Sequence, residues 1–128
     1  LLIEEQQKNV PPVLDIQTYN YTTSFNIPHD KHSAAFDADK LLYPLSLRLW
    51  QQGDTFVPFG MKGRKKVSDY LTDRKLSLAQ KERQWVLCCG EDIIWLVGER
   101  SDNRFRVSNA TQRITIVTLH KPNENNPV

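Results

Sequence analysis

Two apolar runs, Trp85 to Cys89 and Ile93 to Val97, stand on either side of Gly90-Glu91-Asp92. Runs of this length without polar alternation, joined by a tight polar turn, read as a β-hairpin whose strands are covered on both faces. Such a hairpin belongs at the centre of a sheet, and the rest of the chain must supply a cover for each side. A chain of 128 residues can do this within one domain, burying roughly two-thirds of the surface its unfolded form exposes. Cys88 and Cys89 lie inside the first run, adjacent and without Cys-x-x-Cys spacing, so they read as reduced, packed side chains of a cytosolic protein. No apolar run approaches the roughly 18 residues of a membrane span, and no charged-then-apolar leader is present. The expectation is a cytoplasmic protein with no membrane partner, and a start at Leu1 rather than methionine points to a piece of a longer protein.

The other elements follow from periodicity. Residues 1 to 33 read as a lead-in or linker with one β-strand, in which Tyr19, Tyr21, Thr23, Phe25 and Ile27 alternate with polar residues and turn an aromatic face inward. Ala34 to Asp37 is a short strand before a turn. Leu45, Leu47 and Leu49 alternate with Ser46, Arg48 and Trp50, a strand after Pro44 with Arg48 opposite the leucines. Val67, Tyr70 and Leu71 have the spacing of one buried helical stripe, so a short helix covers Val67 to Asp73. Ser77 and Gln80 form a capping-box pattern that opens a second short helix at Leu78. Arg104, Phe105, Arg106 and Val107 alternate as a strand with both arginines on one face, and Ile114 to Leu119 is a last β-branched strand. Residues 121 to 128 are a tail. The sum is an α+β fold: one strand-dominated domain over residues 34 to 120 with two short helices inserted mid-chain.

The formal net charge of +2 is small, but its distribution is uneven. Between Lys62 and Arg83 eight basic residues face three acidic ones, a local net of +5 that leaves −3 for the rest. Most of it follows a glycine-rich stretch: Gly53, Gly60 and Gly63 mark turns, and Lys62, Arg64, Lys65 and Lys66 run into the first helix. A basic turn leading into a helix start is a candidate anion site, through side-chain charge together with free backbone N–H groups and the helix dipole. Phosphate recognition needs cations at several points of one surface, and further candidates lie at Arg74 to Arg83 and Arg100 to Arg106.

Catalytic constellations are missing. His29 and His32 sit in a polar loop beside Pro28 with no cysteine nearby, so they read as surface histidines rather than metal ligands. His120 has no obvious partner. Asp69 and Asp73 lie beside Lys65, Lys66 and Arg74, which makes helix-surface ion pairs the simpler account of them. Neither Gly-x-Gly-x-x-Gly nor Gly-x-x-x-x-Gly-Lys-Ser/Thr occurs. No catalytic residue and no metal site are expected.

The string Pro44-Leu45-Ser46-Leu47-Arg48-Leu49-Trp50-Gln51-Gln52-Gly53-Asp54, then Phe56, Pro58 to Asp69, Asp73 and Lys75, resembles the C-terminal domain of bacterial tRNA(Ile)-lysidine synthetases. Cys89-Gly90, Ile93-Ile94-Trp95, Gly98, Arg100 and Arg104-Phe105 continue the likeness, which runs from about Phe36 to Val107. Val67 stands where that family often has leucine. The resemblance implies a β-rich fold similar to a module of the phenylalanyl-tRNA synthetase β subunit. It also implies a tRNA(Ile)-binding domain that holds the acceptor-stem side, without cofactor of its own. The catalytic N-terminal domain of such enzymes carries a Ser-Gly-Gly-x-Asp-Ser loop and uses ATP to attach lysine to the wobble cytidine; this chain has no such loop and should be inactive alone. Lys62, Arg64, Lys65 and Lys66 are then expected to make the main phosphate contacts, with Arg74, Lys75, Arg100 and Arg104 flanking; Gly60, Gly63 and Ser68 shape the turn, and Ser68 is counted as a ninth tRNA-binding residue. The rival expectation is a protein-interaction module that docks its own catalytic domain or a homodimer partner.

Overall fold

The computed structural model describes residues 10–22 and 24–120. The expected tail, residues 1–9 of the expected lead-in and Thr23 lie outside them. Nine strands and two α-helices are present among the described residues: β1 Val13–Asn20, β2 Ser33–Asp37, β3 Leu45–Leu49, β4 Thr55–Phe56, β5 Lys65–Lys66, α1 Val67–Asp73, α2 Leu78–Glu82, β6 Trp85–Cys89, β7 Asp92–Leu96, β8 Arg100–Ser101 and β9 Arg113–His120. Short 3-10 turns cover Ala38–Lys40 and Asn103–Phe105.

The hairpin is the centre, as its composition requires. In the order β3-β6-β7-β8, β6 and β7 are the inner strands of a four-stranded antiparallel sheet. One face packs Leu87, Cys89, Ile94 and Trp95 against Ala34, Phe36 and Val117 of a second sheet, ordered β1-β9-β2, with Leu41 and Phe105 between them. The other face packs Val86, Cys88, Ile93 and Leu96 against Phe56 and the stripe Val67, Tyr70 and Leu71 of α1. Each fully covered large side chain here, such as Trp95, Phe36 or Phe56, contributes roughly 2–3 kcal/mol through burial. A register shift opposite Leu87 and Cys88 leaves Ile94 as an extra residue, so Ile94 and Trp95 both belong to the inter-sheet core. Both cysteines are free and buried, and burial pushes the Cys88 thiol pKa upward.

The helices are held as the sequence predicts. Ser77 Oγ accepts from the Gln80 N–H and Gln80 Oε1 accepts from the Ser77 N–H, which completes the capping box. Trp50 Nε1 donates to the Lys81 carbonyl at 2.7 Å and ties α2 to the end of β3. Arg48, opposite the leucines of β3, closes on Asp54 with Nη1 to Oδ2 at 2.9 Å and Nη2 to Oδ1 at 3.1 Å.

Two strand assignments are corrected. The first strand is Val13–Asn20, paired with β9 along its whole length, and it stops before the expected run to Ile27. Tyr19, at 43% exposure, is not turned inward; Tyr19, Tyr21 and Phe25 instead form a ring cluster with centroids 5.3 and 6.4 Å apart. The segment Arg104 to Val107 is no strand either. Asp102 caps a 3-10 turn over Asn103–Phe105, accepting from the Arg104 N–H, so Phe105 turns into the core and the two arginines share no strand face.

Candidate nucleic-acid interface

The basic stretch is a turn between β4 and β5, a pairing too short to be visible in the sequence. Its base is bound to the segment after β7. The Val57 N–H donates to Asp102 Oδ2 at 2.9 Å, the Asn103 N–H to the Val57 carbonyl at 2.7 Å, and the Phe59 N–H to the Ser101 carbonyl at 2.9 Å. The Gly60 N–H donates to Asn103 Oδ1 at 3.0 Å, Arg100 Nη2 to the Phe59 carbonyl at 2.7 Å, and the Met61 N–H closes the turn on the Pro58 carbonyl at 2.9 Å. Gly60 has φ +88°, the left-handed region that other residues resist. Gly63 does not, and a Cβ there would meet open space, so the expected conformational demand at Gly63 is absent.

The structure separates the nine expected contact residues by what their side chains already hold. Lys62 and Lys66 are exposed, and among the described residues neither has a carboxylate partner. Arg64 is exposed and its Nη1 donates only to the neutral Thr55 hydroxyl at 3.2 Å. Arg100 is bound to the neutral Phe59 carbonyl, so its charge is not offset there. Lys65, by contrast, pairs with Asp73, the surface ion pair expected on α1. Arg74 pairs with Glu99 at 2.8 Å, and that oxygen also accepts from the Tyr70 hydroxyl at 3.2 Å. The hydrogen bond that Arg74 donates to Glu99 raises the Arg74 pKa. Burial raises that of the Tyr70 phenol, with Glu99 adding to it.

Arg104 is held by Asp102 and lies 3.3 Å from Asp92. Lys75 is exposed just beyond α1 with φ +58°. Ser68 lines a different groove, beside Trp50 and Leu78, from the shallow one that Arg64, Lys65 and Lys66 share with Asp73.

The helix start adds little. The Lys66 side chain makes no capping bond, and the Val67 N–H is already spent on the Asp54 carbonyl at 2.9 Å. Side-chain charge, rather than backbone donors, is what this turn offers. Among the described residues no cluster of His, Cys, Asp or Glu has the geometry to hold a metal, and no helix is long and apolar enough to cross a membrane. Sequence reasoning missed Phe59 and Met61, which stay 49% and 46% exposed inside the basic turn, and Asn103, which holds it; the Phe-Gly-Met string around Gly60 was the available signal.

The class is thus a β-rich domain with a hydrogen-bonded cationic turn at the edge of its central sheet. The sequence model of the TilS substrate C-terminal domain matches residues 45–118, and the chain belongs to that family. It is 57% identical, over 90% of its length, to the tRNA(Ile)-lysidine synthase of Bacteroides thetaiotaomicron, and 51% identical over 93% to that of Parabacteroides distasonis. It spans 27% of each of those relatives. In fold it is similar to a crystal structure of the TILS C-terminal domain, with a TM-score of 0.73 at 19% identity, covering 86% of this chain and 84% of that one. An N-terminal fragment of the phenylalanyl-tRNA synthetase β subunit from Pyrococcus horikoshii gives 0.59 at 21%, covering 70% and 28%. The β-rich fold implied by the sequence resemblance is borne out on both counts.

Proposed function

We propose that this chain is the tRNA-binding C-terminal domain of a tRNA(Ile)-lysidine synthetase. It grips the acceptor-stem side of tRNA(Ile), while a separate N-terminal domain uses ATP and lysine to convert the wobble cytidine to lysidine. The observation that carries the reading is the set Lys62, Arg64, Lys66 and Arg100, four cations around one rigid turn with no carboxylate partner among the described residues. An RNA stem hides its bases in a deep, narrow major groove, so a protein holds it mainly by phosphates and 2′-hydroxyls. Point charges on a preformed turn suit that task. Lys75 extends the set, whereas Lys65, Arg74 and Arg104 act first in holding the fold.

Titration of tRNA(Ile) against the chain at several salt concentrations tests this. With about four phosphates neutralised, log K should fall against log salt with a slope of roughly −3 to −4. Salt-independent binding, or binding that survives Lys62→Glu with Lys66→Glu, overturns it. A second reading, docking to its own catalytic domain or to a second copy, is favoured by the exposed apolar side chains of edge strand β1, Val13 and Ile16. Molecular size in solution with and without tRNA separates the two: a stable dimer that excludes RNA supports docking.

A further inference from the structure

Two large apolar side chains, Phe59 and Met61, stay half-exposed in a turn otherwise occupied by glycine and cations. Isolated exposed apolar residues are ordinary on any protein. These two differ in how their backbone is held. Phe59 has its N–H on Ser101 and its carbonyl on Arg100, Gly60 has its N–H on Asn103, and Met61 has its N–H on Pro58. Beneath them Asp102, without solvent exposure, receives the Val57 N–H and the Arg104 guanidinium. The turn is therefore fixed before anything binds, and a partner that meets it loses little ordering entropy there. The neighbouring free charges, on Lys62, Arg64 and Arg100, select a polyanion. Apolar side chains in the same turn as these cations match the one place where an RNA stem shows base faces, its open end, because elsewhere the bases are stacked on one another.

We propose that Phe59 and Met61 form a contact surface for the open end of an RNA stem, pressing on the terminal pair or first unpaired base, with Asn103 and Arg100 as the residues that position it. The inference rests on the phosphate-binding reading above and adds to it a preference for stem ends over stem sides.

The test uses the whole chain and two RNAs of the same 12-pair stem, one closed by a loop at one end only and one closed at both. Wild type binds the open-ended RNA more tightly, on the order of tenfold, the scale of a base–aromatic contact. Phe59→Ala removes that preference and leaves the salt slope unchanged, since no charge is lost. Phe59→Tyr, which keeps the ring, keeps the preference and controls for folding. Asn103→Ala weakens the preference and speeds amide exchange at Gly60. Equal binding of both RNAs by wild type overturns the inference while leaving phosphate binding intact, and so does a preference that survives Phe59→Ala. Failure of wild type to bind either RNA in a salt-dependent way removes the phosphate reading and this one with it.

Discussion

The guanidinium of Arg104 closes on the carboxylate of Asp102, Nε to Oδ1 at 3.0 Å and Nη2 to Oδ2 at 2.9 Å, and Asp102 is wholly buried. Arg104 is half-buried, so the two partners are not equivalent. Arg104→Ala leaves an uncompensated buried charge and should destabilise the domain by about 3 kcal/mol, with a fall in Tm of about 10 °C. Thermal unfolding followed by circular dichroism measures this, and an unchanged Tm contradicts it.

Charge removal separates binding from folding. Lys66→Gln should reduce the steepness of the salt dependence of tRNA binding by about 0.9 and leave Tm within about 2 °C, since an exposed unpaired lysine contributes little to stability. Arg104→Gln should do the reverse, lowering Tm with the salt slope unchanged. Anisotropy titrations at four or five salt concentrations read both slopes.

The two glycines of the turn should respond oppositely. Gly60→Ala forces a Cβ into φ +88° and should destabilise by about 1–2 kcal/mol, although the Cβ itself meets nothing closer than Arg100 at 4.0 Å. Gly63→Ala has open space and no left-handed torsion, so it should be neutral or stabilising by about 0.5 kcal/mol through the unfolded state. Denaturant titration distinguishes the pair.

Acid should loosen the join between β3 and the glycine turn. Burial raises the Asp54 pKa, but the Arg48 hydrogen bond and the Gln51 N–H outweigh it and hold the carboxylate below its ordinary 3.8. A depressed carboxylate contributes stability that is complete above the unfolded value and lost as pH falls through the folded one. Wild type should therefore be more stable than Asp54→Asn above about pH 4, and the gap should narrow below it. Paired Tm measurements from pH 2 to pH 7 check this; a gap that is constant with pH refutes it.

What could be read from the sequence was what local pattern encodes. The β6-β7 hairpin, the stripe Val67, Tyr70 and Leu71, and the Ser77 capping box each specify their element through residues within a few positions of one another. β1 escaped because an edge strand exposed along most of its length needs no alternation; it is defined by hydrogen bonds to β9, nearly a hundred residues away. The aromatic alternation that replaced it was real, but it serves a ring cluster that joins the end of β1 to the loop after it. In the site, the cations were visible and their neutralisation was not. Arg74 is offset by Glu99, twenty-five positions on, and only the fold brings those two together. Arg104 is offset by Asp102 two residues before it, near enough to notice, yet the alternating Arg-Phe-Arg pattern argued for a strand instead.

Val13 stands opposite His120, so β1 begins where β9 ends, and these two strand ends lie side by side. Tension applied between them would peel β1 from β9 one registered pair at a time instead of shearing all eight together. The domain is thus mechanically soft along that axis. Its four-stranded sheet, to which the cationic turn is clamped, lies outside the first line of force, and a pull at Val13 and His120 would fray the edge before it moved the turn.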